Sequence, residues 1–120
     1  MARCDEGYRC AVCGAYVEEV VDSDLYLRYV LGEVEPLKLP SQPERHIVCD
    51  PVMAQFIVDP AFPPVTCPGA FDKANLDPEF VREEEDRITR GWRRLQDVVR
   101  RGVPIPEYPL PEARQKWRKA

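Results

Sequence analysis

Two pairs of potential metal ligands constrain this chain more than any other feature of its sequence. Cys10 and Cys13 form the first pair, and His46, the only histidine, forms the second with Cys49. Zinc favours four ligands in a tetrahedron, and a pair with two residues between its members lets one turn supply two corners. Gly14, directly after the first pair, lets the backbone turn back toward the sulfur atoms. The pattern predicts one structural zinc site that joins two distant loops.

The motif Cys-Ala-Val-Cys-Gly, followed by a ligand pair just before the helix start Asp50-Pro51, resembles the zinc-knuckle and treble-clef class of folds. The resemblance implies a metal and a local geometry, with a turn and a short β-hairpin around the site. The 32 residues between the two pairs depart from the more compact members of that class. The class hosts many unrelated roles, so the resemblance implies no particular function.

Other readings of the cysteines stay open at the level of sequence. Cys4 could replace His46 or Cys49 as a ligand, because it lies near the first pair. The first pair could instead be a redox couple, although a strand pattern follows it where a thioredoxin-like motif would begin a helix. The thiols could also be unligated core residues, and His46 could be a packed histidine. Cys67, in an irregular loop before Pro68, is expected to be a plain core thiol.

Composition places the chain among small soluble globular proteins. Its 120 residues suffice for one domain, and no apolar run approaches the ~18 residues that cross a bilayer. An odd total of five cysteines favours a reducing compartment over a disulfide framework, and the N-terminal residues carry charges where a secretory signal would be apolar. We therefore expect a cytoplasmic protein without a membrane segment.

Capping signals predict three helices. Asp22 or Ser23 begins the first, and Gly32 ends it. Asp50-Pro51 begins a second short helix that continues to about Val58. The third is long: Asp77 caps it, an apolar stripe with helical spacing follows, and Gly102 ends it.

These elements predict a small α+β fold that is mainly helical. Residues 1–102 would form one zinc-stabilised domain with a short β-hairpin in its N-terminal half, two short helices and one long C-terminal helix. The hairpin or knuckle is expected near residues 8–21 and 45–49, where β-branched and aromatic residues gather. Residues 103–120 contain four prolines, which predict an extended tail outside that domain.

Four protein ligands would leave zinc no open position for water, so the site is expected to stabilise the fold and not to catalyse. The sequence contains neither a phosphate-binding glycine loop nor a second histidine, which would indicate an enzyme, and no small-molecule substrate is evident. We therefore expect a non-catalytic adaptor or accessory subunit that contacts a protein partner. The aromatic and apolar residues of the tail, Tyr108, Leu110 and Trp117, are the predicted contact residues.

A second hypothesis is a nucleic-acid-binding zinc module that uses the long helix. Its phosphate contacts would be four arginines of that helix, Arg87, Arg90, Arg94 and Arg101. A net charge of −4 counts against this hypothesis, because affinity for polyanions comes mainly from basic residues. A third hypothesis is a thiol-based redox protein that uses the first cysteine pair.

Overall fold

The computed structural model describes residues 9–119, and the side chains up to residue 116. The α-helices of this part are α1 (Asp24–Leu31), α2 (Pro51–Ala54), α3 (Pro78–Arg101) and α4 (Pro111–Lys119). Short 3-10 turns connect them at Val20–Asp22, Pro36–Ser41, Ile47–Cys49, Lys73–Asn75 and Ile105–Glu107. None of the helices in residues 9–119 is long and apolar enough to cross a membrane.

The predicted β-hairpin is absent from the described residues, so the α+β assignment was wrong although the mainly helical character was right. Extended pairing is limited to isolated bridges, of Arg9 with Tyr16, Cys10 with Glu44 and Ser23 with His46. A strand needs a neighbouring strand to satisfy its backbone groups, and residues 17–21 have none. The chain there turns into a 3-10 helix instead.

Helix α1 has the bounds that its sequence predicts. The Ser23 hydroxyl accepts a hydrogen bond from the Tyr26 N–H, and Gly32 ends the helix in the left-handed conformation with φ of 88°. Helix α2 is shorter than predicted, with four residues, and the Asp50 side chain makes no capping hydrogen bond to it. That carboxylate binds Arg28 instead, at 2.7 Å.

Helix α3 runs over the predicted residues and packs across α1. Asp77 caps it by accepting from the Phe80 N–H, and Gly102 ends it with φ of 70°. The two helices approach each other closely at Gly91, where a Cβ atom would lie 2.4 Å from Leu31 Cδ2. The core between and around them consists of buried residues that include Leu27, Val30, Ile47, Ala54, Ile57, Ile88, Trp92, Leu95 and Val98.

The tail is not extended, contrary to the sequence prediction. Tyr108 and Leu110 are 6% and 5% exposed and belong to the core, and the Leu110 N–H donates to the Val30 carbonyl at 3.0 Å. Helix α4 then packs against the end of α1, where Ala113 Cβ lies 2.9 Å from the position a Cβ on Gly32 would take. Burial of these apolar side chains outweighs the extended preference of the prolines, of which Pro106 and Pro111 lie in the first turns of short helices.

Replacing Gly32 by alanine is expected to destabilise the fold more than replacing Gly102. Both glycines have a left-handed φ that costs an alanine about 1 kcal/mol, but only Gly32 faces another element, Ala113. The close approach should add about 1 kcal/mol or more, because the core must shift to admit the methyl group. Urea denaturation of Gly32→Ala and Gly102→Ala measures the difference, and equal losses would mean that α4 does not dock against α1.

Candidate metal centre

The first ligand pair lies on a tight turn. The Cys10 N–H donates to the Ala15 carbonyl at 2.8 Å, and the Gly14 N–H donates to the Cys10 carbonyl at 2.9 Å. Gly14 has φ of 80°, and a Cβ there would meet nothing within 4 Å. Glycine is therefore favoured by the left-handed backbone conformation and not by a lack of room for a side chain. The N–H groups of Val12 and Cys13 both point at Cys10 Sγ, at 3.4 Å. This turn presents two sulfur atoms on one side.

The second pair lies on the 3-10 turn Ile47–Cys49, where the Cys49 N–H donates to the His46 carbonyl at 3.0 Å. Two hydrogen bonds connect the two turns. The Ala11 N–H donates to the Glu44 carbonyl at 2.9 Å, and the His46 ring nitrogen Nε2 lies 3.1 Å from the Tyr16 carbonyl. The backbone therefore brings the two distant pairs together without a sheet.

The ligand atoms of Cys10, Cys13, His46 and Cys49 all lie within 4.8 Å of one another, in a group that could hold one metal ion. His46 Nδ1 is 3.4 Å from Cys13 Sγ and 3.8 Å from Cys49 Sγ. A tetrahedral zinc ion holds a sulfur and a nitrogen ligand about 3.6 Å apart, which the two distances bracket. The group fits a single tetrahedral ion.

The histidine is oriented for binding through Nδ1. With Nε2–H donating to the Tyr16 carbonyl, Nδ1 carries the free lone pair and faces the sulfur atoms of Cys13 and Cys49. Metal-binding histidines commonly donate their other ring nitrogen to such an acceptor, which fixes the tautomer and the ring plane. The Tyr16 carbonyl thus supports the site although it is not itself a ligand.

The thiols of Cys10 and Cys49 differ in their pKa. Burial opposes ionisation of Cys10, but hydrogen bonds from the backbone of Cys13, His46 and Val12 outweigh it and lower its pKa to about 5. Burial, together with the nearby Cys10 and Cys13, raises the pKa of the Cys49 thiol to about 12. A divalent cation would stabilise all three thiolates together, since bound cations reverse the repulsion among anionic ligands.

A network of ion pairs fixes the second ligand pair to α1. Arg28 donates to Asp24 at 2.9 Å and to Asp50, the residue after Cys49, at 2.7 Å. Arg45, the residue before His46, binds Asp24 at 3.0 Å. We call Asp24, Arg28, Arg45 and Asp50 the ion-pair network.

Sequence reasoning missed the ion-pair network, although one signal was present. Asp24 and Arg28 are four residues apart on a capped helix, a spacing at which opposite charges meet. The other two members lie in the segment that carries the second ligand pair, and only the fold reveals that it passes beside α1. Backbone contacts reinforce the same attachment, because the Asp24 N–H donates to the Arg45 carbonyl at 2.8 Å.

The other sequence-predicted residues lie apart from the metal centre. Tyr108 and Leu110 are buried in the core and so offer no partner surface, whereas the side chain of Trp117 lies outside the described residues. Cys4, the alternative ligand, also lies outside them. Cys67 is buried and is not part of the metal-binding group.

The four arginines of the nucleic-acid hypothesis all have partners within the chain. Three of them bind carboxylates: Arg87 binds Glu84 and Glu33, Arg90 binds Glu112, and Arg101 binds Asp97. Arg94 donates to the backbone carbonyls of Glu107 and Tyr108.

Comparisons of the chain with models of protein families, with curated proteins and with solved structures found no match. The residues of the metal centre therefore carry the functional argument by themselves.

The ion-pair network should make stability depend on pH through Asp24. Burial raises the pKa of this carboxyl from 3.8 to about 6, while Arg28 lowers it by less and Asp50 raises it further. Asp24 Oδ1 is also buried without a hydrogen-bond partner. A raised pKa means that the protonated form stabilises the fold below about pH 4 and that this contribution is lost as the pH rises through about 6.

We therefore expect the wild type to gain about 1 kcal/mol relative to Asp24→Asn between about pH 7 and about pH 5. Urea denaturation of both proteins at each pH measures this difference. Both carry the same metal ligands, so proton competition for those ligands cancels in the comparison. A stability difference that is constant over this range would show that Asp24 has an ordinary pKa.

Proposed function

We propose that this chain is a non-catalytic zinc-binding protein whose metal holds its N-terminal half together and which acts through contact with a protein partner. The observation that carries the proposal is the convergence of Cys10, Cys13, His46 and Cys49 within 4.8 Å. Three thiols with one imidazole form a donor set typical of structural zinc. Hard cations such as magnesium prefer oxygen ligands, which this group lacks.

A structural role follows from the number of ligands. Four protein side chains fill a tetrahedral shell and leave no position for a water or a substrate, as catalytic zinc sites require. The only histidine of the chain belongs to this group, so no second imidazole can serve as a general base. A redox role for the first cysteine pair is less well supported, because Cys10 and Cys13 lie on a turn and not at a helix N-terminus.

The support for a partner is an open apolar groove between α2 and the start of α3. It has a volume of about 480 Å³, and Val52, Phe71 and Phe80 on its walls are 44%, 64% and 47% exposed. The charged groups at its edge are paired with one another, Arg28 with Glu33 and Arg87 with Glu84. A groove without an unpaired charge suits the apolar side chains of a protein segment better than a charged ligand.

We also infer that the protein works in the cytoplasm. Cys10, Cys13, Cys49 and Cys67 are free thiols. A zinc site of this kind needs its cysteines reduced, as they are kept in the cytoplasm and not in oxidising compartments.

Metal analysis tests the structural role. Freshly purified protein should contain about one zinc ion per chain, and Cys10→Ser or His46→Ala should lose it. Chelation should cost several kcal/mol of stability, because metal binding and folding are coupled, and should loosen the N-terminal half first. Cys67→Ser is the matched control, since it removes a buried thiol outside the metal-binding group. Protein that folds equally well with and without chelator would refute the proposal.

The partner contact is testable with one substitution in the groove and one outside it. Phe71→Glu should abolish a stoichiometric complex in protein isolated from its native cell, because it places a charge in the apolar groove. Leu37→Glu is the control, since Leu37 is 94% exposed and does not line the groove. Sedimentation at near-physiological salt measures the complex. A wild-type protein that sediments only as a monomer would count against an adaptor role.

A further inference from the structure

Charge is strongly segregated along this chain. Residues 90–119 hold nine basic and three acidic side chains, whereas the preceding 89 residues hold eight basic and eighteen acidic ones. Residues 90–119, which contain the C-terminal half of α3 and the whole of α4, therefore carry a net positive charge of six in a protein whose net charge is −4. Such a field attracts an anionic partner to this end of the molecule.

Two arginines of this region have no carboxylate partner among the described residues. Arg94 donates only to backbone, to the carbonyl of Tyr108 at 3.0 Å and that of Glu107 at 2.8 Å. Arg114, on α4, is half-buried, and its Nε is buried without any hydrogen-bond acceptor. An unsatisfied buried donor is costly, and a carboxylate is the acceptor that arginine binds most strongly. Rotating Arg114 toward a ligand would break no hydrogen bond of its Nε with the described residues.

A third arginine is near these two. The pKa of Arg94 is lowered first by burial and then by the positive charges of Arg114 and Arg101. Arg101 lies seven residues after Arg94, on the same face of α3, and shares the carboxylate of Asp97 with Arg100. The charges of Arg114 and Arg101 thus both oppose that of Arg94, and an anion placed beside Arg94 would relieve that repulsion.

We propose that Arg94, Arg101 and Arg114, which we call the cationic face, bind an acidic segment of a partner protein. The inference rests on the proposed function for its class of partner, and it adds the chemistry that the partner must present. An acidic peptide fits better than a single-stranded nucleic acid. The exposed aromatic side chains of the described residues, Tyr16, Phe71 and Phe80, lie outside residues 90–116, so residues 90–116 offer no exposed aromatic platform on which bases could stack.

The test uses the zinc-loaded full chain and a short fluorescein-labelled peptide rich in glutamate. Fluorescence anisotropy should show binding that weakens with added salt, and a peptide with glutamine in place of each glutamate should not bind. Arg114→Gln should weaken binding about fivefold, and Arg114→Lys should restore part of it. Arg82→Gln is the control, because it removes an equal charge near the other end of α3, and it should change binding by less than about twofold.

The inference would be overturned if the acidic peptide did not bind, or if Arg114→Gln and Arg82→Gln lowered the affinity for it equally. Tighter binding of a single-stranded oligonucleotide, with the same dependence on Arg114, would also overturn it. Chemical shifts of the Arg114 Nε–H in the wild type provide a measurement that needs no variant, and they should move when the peptide is added. Metal content is measured on every sample. If the protein retains zinc but does not bind the peptide, only this inference is wrong. If the protein folds equally well without zinc, the proposed function is wrong.

Discussion

Arg28 donates from three of its nitrogens to three carboxylates, those of Asp24, Glu33 and Asp50, and the position of the second ligand pair depends on these bonds. The carboxylate of Asp24 is 2% exposed. It also accepts from Arg45 at 3.0 Å, so two arginines neutralise this one buried acidic group. Asp24 and Arg28 of the network lie in α1. Arg45 lies just before His46 and Asp50 just after Cys49, so the network fixes this segment from both ends.

The metal centre and the ion-pair network constrain the same segment from opposite sides. Residues 44–50 lie between α1, which they contact through Asp24, and the first turn, which they contact through Ala11. No strand ladder in the described residues provides such a connection. A structural metal is most effective in a region of this kind, where hydrophobic burial and backbone pairing alone leave loops weakly held. The half of the chain with the least regular structure is thus the half that contains the four ligands.

Local signals predicted α1, α3 and the four side chains that could hold a metal, but they failed where tertiary burial decides the conformation. The caps Ser23 and Asp77 form their predicted hydrogen bonds because capping depends on residues within one turn. The segment after Gly14 has strand-forming residues but no strand beside it, which its own sequence cannot reveal. Prolines in the tail indicated an extended path, yet Tyr108 and Leu110 are buried in the core. The long-range pairs of the ion-pair network were equally invisible, because they join residues more than twenty positions apart.

Helix α1 connects the candidate metal centre with α4. Its first residues carry the ion-pair network, and the Val30 carbonyl near its last turn accepts from Leu110, just before α4. The helix spans only about 12 Å, and α3 packs across it at Gly91. Because α1 is almost entirely buried, a shift at its start moves the contacts at its end. Removal of the proposed metal should therefore affect not only the nearby turns but also the docking of α4, and with it the position of Arg114.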